Sequence, residues 1–209
     1  MSKYIYTIPY SKFNLWDAKR YSHIQFESNF EIKPLGKYIK SETDKINLFD
    51  FPDEEFDILG ISNDEGMYDA YRKCGKEFNQ PYKIVKNDYI AYNPYRVNIG
   101  SIGIKKEHLK GELISPAYVV FSCKEGLLPD FLFMLMKTTE FNELVKENTS
   151  GSVRQNLTFE ALSSIEIPIP DIKIQQTIID EYKALEREFI EAKTKIEKFR
   201  QNFRSNIYK

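Results

Sequence analysis

The chain holds only two cysteines, two histidines and one tryptophan in 209 residues. Cys74 and Cys123 lie far apart and form no C-x-x-C pair, so no thiol metal site or redox motif can be built from them, and reduced thiols in a cytoplasmic protein are expected. His23 and His108 have neither a neighbouring cysteine nor paired carboxylates, which leaves no local zinc set and no catalytic triad. A phosphate loop of the G-x-x-x-x-G-K-[ST] kind is missing. No apolar run reaches the roughly 18 residues of a membrane span, and the opening MSKYIYTIPY lacks an apolar signal core and a small-residue cleavage site. The expectation is a chain with no metal, no cofactor and no membrane partner.

What the chain does hold is apolar and aromatic material: 42% hydrophobic and 14% aromatic residues suit a packed core rather than a disordered chain. A net charge of −1 argues against an indiscriminate polyanion binder. The average conceals segregation. Residues 41–65 carry nine acids against Lys45 alone, whereas residues 66–110 carry nine bases against four acids, so a local basic face is expected there.

Taken in order, an aromatic and basic opening contains a short amphipathic piece over residues 14–21, and Pro34 with Gly36 makes a turn over residues 33–39. Strands are expected in FDILGI (56–61), YKIV (82–85), YIAY (89–92), VNIGSIGI (97–104) and AYVVFS (117–122), with Gly100 and Gly103 marking a bulge or a close backbone approach. Pro129 opens one helix carrying Phe131, Leu135, Phe141, Leu144 and Val145, and Thr158 caps a short helix through Ser164. Pro168 and Pro170 hold IEIPIP extended. Beyond Asp171 there is neither proline nor glycine, and the apolar series Ile178, Tyr182, Leu185, Phe189, Ala192, Ile196, Phe199, Phe203 is spaced 4-3-4-3-4-3-4. That period of 3.5 is a coiled-coil seam. A helix from Asp171 to Lys209 would be roughly 55–60 Å long, and a partner helix is expected to cover its stripe.

Catalysis finds little support. Asn93-Pro94-Tyr95 is similar to the N-P-P-Y element of amino-methyltransferases but lacks the second proline, and no methyl-donor loop precedes it. The acids Asp53, Glu54, Glu55 and Asp57 read as a solvated loop rather than a nuclease centre. Recognition is better served. Residues 92–98 place Asn93, Tyr95, Arg96 and Asn98 on a loop leaving a strand; arginine pairs bidentately with guanine and asparagine with adenine in the major groove. Lys105 and Lys106 follow and suit phosphates. Arg154, Gln155 and Asn156 repeat the theme after a helix, and Tyr71-Arg72-Lys73 is a third, weaker candidate.

YNPYRVNIGSIGI (92–104), SPAYVVF (115–121), GSVRQNLTFEALSSIEIPIP (151–170) and DIKIQQTIIDEY (171–182) together resemble the DNA-specificity (S) subunit of Type I restriction–modification systems, as do WDAKRYS (16–22) and PLGKYI (34–39). The resemblance is to one half of such a subunit, with a single target recognition domain. It implies an α+β fold: a sheet-rich recognition domain over residues 1–170, then a long coiled-coil helix over residues 171–209. It further implies a non-catalytic subunit that reads one half of a split site in double-stranded DNA. Methyltransferase subunits, and a translocating nuclease subunit, would bring the catalysis. The series from Ile178 to Phe203 is then expected to form a homodimer and set the half-site spacing. The competing reading is a coiled-coil protein–protein interaction module without DNA specificity.

Overall fold

A computed structural model of the chain describes residues 28–97, 100–148 and 156–208. The piece expected over residues 14–21 and the WDAKRYS segment lie outside them. Its first strand, β1 (Ile32–Pro34), is followed by a 3-10 turn at Leu35–Lys37, where a turn was expected, and by β2 (Ile39–Ser41). β1 pairs antiparallel with the last strand, β11 (Glu166–Pro168), with Lys33 opposite Ile167. Leu35 N donates to Ile165 O at 2.9 Å and Ile169 N to Glu31 O at 3.1 Å, extending this pairing at both ends. Proline lacks the ladder N–H, and Pro34 and Pro168 sit in a sheet of two strands, where no third strand needs it. IEIPIP is extended, as its prolines require.

Two larger sheets carry the core. One is antiparallel in the order β2, β10 (Val119–Cys123), β7 (Ile90–Tyr92), β8 (Ile102–Ile104). The other runs β3 (Lys45–Ile46), β6 (Tyr82–Ile84), β9 (Leu113–Ile114), β4 (Glu55–Ser62), β5 (Gly66–Cys74), with β4 and β9 parallel. Leu59, Ile61, Met67 and Ile114 of the second sheet pack with Ala91 and Val120 of the first in one buried cluster. Ile58, next to Leu59, belongs to a different cluster with Leu48, Phe78, Tyr82 and Leu113, because successive strand residues face opposite ways. The five-stranded sheet is therefore apolar on both sides. Full burial of one such aliphatic side chain contributes about 1.5–3 kcal/mol.

β5 was not expected from the sequence. It is an edge strand whose outer half, including Tyr71, Arg72 and Lys73, is exposed, so it shows little apolar alternation. The weak recognition candidate at Tyr71-Arg72-Lys73 thus lies in a strand, and Arg72 is committed. Its Nε and Nη2 donate to the two oxygens of Asp57 at 2.7 and 2.6 Å, and that hydrogen bonding holds the Asp57 carboxyl below its usual range.

The helix opened by Pro129 divides in two, α1 (Pro129–Met136) and α2 (Thr139–Asn148). Thr138 explains the break: its hydroxyl donates to Leu135 O at 2.7 Å and accepts from Phe141 N at 3.2 Å, closing one helix and opening the next. Thr158 caps α3 (Phe159–Ser164), accepting from Ala161 N at 3.2 Å.

Contacts divide the chain into two units, the second running from Pro170 to Lys209. It consists of α4 (Ile172–Ile207), 36 residues or about 54 Å of helix. Asp171 occupies the N-cap position but makes no side-chain cap; Ile174 N and Gln175 N donate to its carbonyl, and the Gln175 amide returns to Pro170 O at 2.8 Å. Among the described residues no helix is long and apolar enough to cross a membrane.

The two large sheets come close together at Gly103. A Cβ there would stand 2.5 Å from Met67 N and 2.7 Å from Met67 Cβ, so β8 can lie on β5 only without a side chain. Gly103→Ala is expected to destabilise the fold by about 1–3 kcal/mol, the usual cost of overpacking. A urea midpoint equal to that of the parent chain would show that the two strands can part freely.

Candidate nucleic-acid interface

The candidate loop joins β7 to β8. Asn93 N donates to Ser101 O at 3.0 Å and Ser101 N to Arg96 O at 3.2 Å, closing its base. Within it the Asn93 side-chain oxygen accepts from Tyr95 N at 3.0 Å, a local turn that leaves only the amide NH2 of Asn93 free for other work. Gly100, at φ +87°, takes the left-handed turn that returns the chain to β8. Tyr92 and Pro94 are buried, while Tyr95 (56% exposed) and Arg96 project at the tip. The phenol of Tyr92 donates to Leu157 O at 3.1 Å, and burial pushes its pKa up.

That bond also brings in the second candidate segment. Leu157 N donates to Pro94 O at 3.0 Å, so Asn156 lies beside the loop. Its Oδ1 is buried and has no hydrogen-bond partner. Asn98, Arg154 and Gln155 lie outside the described residues.

A third segment joins them that sequence reasoning did not assign. Val119 is opposite Tyr92, and the next step of that register places Tyr118 opposite Asn93. Tyr118 closes the turn that starts at Ser115 (N–H···O 3.1 Å), and Lys83 Nζ donates to its carbonyl at 2.5 Å. Burial raises the pKa of the Tyr118 phenol, and the positive charge of Arg96 acts on it in the opposite sense. Ser115-Pro116 favours a turn locally, but only strand register brings that turn to the loop.

The lysines expected on this loop system lie elsewhere. Lys105 and Lys106 follow β8 at its far end, three residues from the loop, or about 10 Å along the strand. Lys105 is 3% exposed, and its ammonium donates to Leu109 O at 2.8 Å and to Lys106 O and Asn87 Oδ1 at 3.3 Å each. A buried ammonium spent on protein oxygens is not placed to meet a phosphate. Lys106 is ion-paired with Asp88 at 2.9 Å and Asp130 at 2.6 Å. Burial opposes its charge, but these two carboxylates hold its pKa above the ordinary value. With Arg72 and Lys83 also engaged, four of the nine bases of residues 66–110 are spent on protein oxygens, while Lys73, Lys76, Lys86, Arg96 and Lys110 are exposed.

Both cysteines are free thiols, and burial pushes Cys123 up to about 12, so it remains protonated at neutral pH. Among the described residues no group of three His, Cys, Asp or Glu side chains is placed to hold a metal ion. On α4, Tyr182, Leu185, Phe189, Ala192, Ile196, Phe199 and Phe203 of the apolar series are all exposed, Phe189 and Phe199 to 67% and 69%. The Phe199 and Phe203 rings stack at 6.3 Å.

A sheet-rich head followed by one long helix is also the architecture of solved specificity subunits. The chain matches the HsdS subunit of Thermoanaerobacter tengcongensis with a TM-score of 0.64 at 17% identity, over 83% of this chain and 46% of that one. A chain from a study of assembly and conformational transition of the type I R-M system matches over the same shares, with a TM-score of 0.66 at 17% identity. In sequence, the specificity subunit of the Type I restriction enzyme HindI of Haemophilus influenzae is 30% identical over 134 residues, which is 62% of this chain and 29% of that protein. The family described as the Type I restriction modification DNA specificity domain matches residues 6–198, and the chain belongs to it. That membership puts the chain in a DNA-specificity class and not among enzymes. It spans about half the length of the solved relatives and under a third of the HindI subunit.

The two lysines after β8 should differ in stability effect. Lys105→Met leaves the Leu109 carbonyl buried without its donor and is expected to cost about 1–3 kcal/mol. Lys106→Met removes partly exposed ion pairs and should cost less, about 0–1 kcal/mol. Paired denaturation curves measure both; equal midpoints for the two variants would contradict the assignment of Lys105 as a structural residue.

Proposed function

We propose that the chain is the sequence-reading subunit of a Type I restriction–modification complex in the cytoplasm, with its head reading one half of a split site in double-stranded DNA. The observation that carries this reading is the exposed tip of the β7–β8 loop, where Arg96 and Tyr95 project from a base tied down by backbone hydrogen bonds, in a chain of the DNA-specificity family. A rigid base with an exposed guanidinium suits bidentate contact with guanine O6 and N7 in the major groove. Asn93 keeps its amide NH2 for an acceptor, and Asn156 lies alongside; Asn98, Arg154 and Gln155 belong to the same two segments and are proposed with them. Head residues 1–170 act in reading and residues 171–209 in assembly. The methyl transfer, and any translocation and cleavage, belong to partner subunits docked on this chain.

We further propose that a second copy covers α4. Its seam keeps a 3.5-residue period from Ile178 to Phe203 and presents Leu185, Phe189 and Phe199 outward, a combination that favours helices wound on one another. Two identical heads read a palindromic, interrupted site. An exposed seam alone would equally serve a protein–protein module without DNA specificity. Salt separates the two: DNA affinity falls steeply between about 50 and 200 mM, and a hydrophobic groove barely responds.

Selection from a random duplex library by the chain co-purified with a methyltransferase subunit should enrich a two-part motif with mirrored halves. Arg96→Ala is then expected to cost about 1–3 kcal/mol and relax one position in each half; selection of the same motif at the same affinity would make the loop structural only. In sedimentation, the parent chain should run as a dimer and the double variant Leu185→Glu, Phe199→Glu as a monomer. A parent chain that stays monomeric would remove the second copy from the proposal.

A further inference from the structure

With Lys105 buried and Lys106 paired to two carboxylates, a second cation beside the Arg96 loop is Lys137. It lies at the C-cap of α1, where a positive charge is favoured by the helix dipole. Its ammonium donates to Gly100 O, inside the β7–β8 loop, at 3.1 Å and to Asn63 O, in the turn between β4 and β5, at 3.4 Å. The ring of Phe133 lies 5.6 Å beneath it. Partial desolvation lowers its pKa, while Asp64 opposes that effect from a distance; among the described residues it forms no ion pair. The side chain is nonetheless exposed.

An ammonium has three N–H donors. Two are held by carbonyls, one from each loop, and these with the ring fix the position of the charge. The third donor and the net positive charge remain for an outside acceptor. Backbone phosphates are the acceptors that DNA presents next to any loop entering its groove, and such contacts position a protein without reading sequence. We propose that Lys137 is a DNA-phosphate contact, the clamp that sets the register of the Arg96 loop on the duplex. This inference rests on the DNA-reading role proposed above. It moves the phosphate contact from the lysines after β8 to one whose charge is exposed and pre-positioned.

The test is DNA binding to the selected duplex and to an unrelated duplex across about 50 to 200 mM salt, using the full chain with its methyltransferase subunit. Lys137→Gln keeps a donor for the loop carbonyls but removes the charge; Lys137→Arg keeps the charge. Each phosphate contact contributes about 0.9 to the slope of log affinity against log salt. The Gln variant should therefore show a slope smaller by about that amount per head. Its affinity for both duplexes should fall by a similar factor, with the selected motif unchanged, and Arg should restore the slope. A Gln variant with the parent slope, or one that loses only the selected duplex, would overturn the assignment and leave Lys137 as a loop tie. Failure of the parent chain to bind any duplex would instead overturn the DNA-reading role itself. Thermal melting of the Gln variant at the parent temperature confirms that the slope reports contact and not unfolding.

Discussion

One strand lying directly on another sets the geometry around the β7–β8 loop. β8 approaches β5 so closely at Gly103 and Met67 that no side chain fits between them. That contact joins the four-stranded sheet to the five-stranded one, with the cluster around Leu59, Met67, Ala91 and Val120 filling the space beside it. Because interiors are packed to crystal-like density, two sheets held this closely have little freedom to slide. The β7–β8 loop and the β4–β5 turn are consequently neighbours, and Lys137 bonds to both.

The head is closed by its own ends. β1 and β11 come from opposite ends of the described head and pair only with each other, and their prolines are tolerated because each strand has a single partner. The bonds at the two ends of this pair, Leu35 to Ile165 and Ile169 to Glu31, hold residues 165–169 extended. In α4 itself the order of importance reverses. A helix of this length stands on its local hydrogen bonds, and its apolar series is exposed from Tyr182 to Phe203. Long helices with a period of 3.5 bury such a stripe by winding on another helix.

Several cations of the head are spent on the chain's own oxygens. Lys105 bonds to Leu109 O, Lys83 to Tyr118 O, and Lys124 reaches Gly36 O at 3.3 Å. Arg72 and Lys106 are spent on carboxylates. A run of basic residues in a sequence thus says how many cations there are and not which of them face water. The two cations left beside the recognition loop, Arg96 and Lys137, come from different parts of the chain and have different surroundings, one at a free tip and one held by two carbonyls.

Elements whose signals are local could be read from residue order. The period of α4, the prolines of IEIPIP, the Thr158 cap and the β-branched runs of β4, β7 and β10 all state their conformation within a few residues, because backbone dihedrals and amphipathic spacing are short-range properties. Of the strand expected over residues 97–104 only Ile102–Ile104 forms, the described residues before it being loop. Of the two glycines, Gly103 is the close approach expected of it, whereas Gly100 is a left-handed turn residue with open space around it. Only the tertiary structure decided the rest. β5 became a strand because β4 pairs with it, despite an exposed and charged sequence. Thr138 divided one expected helix into two. Lys105 was buried, Tyr118 was carried to Asn93 by strand register, and Lys137 was set against a loop 37 positions away. Each of these depends on which distant backbone lies nearby, and burial and hydrogen bonding with distant partners leave no periodic trace in the local sequence.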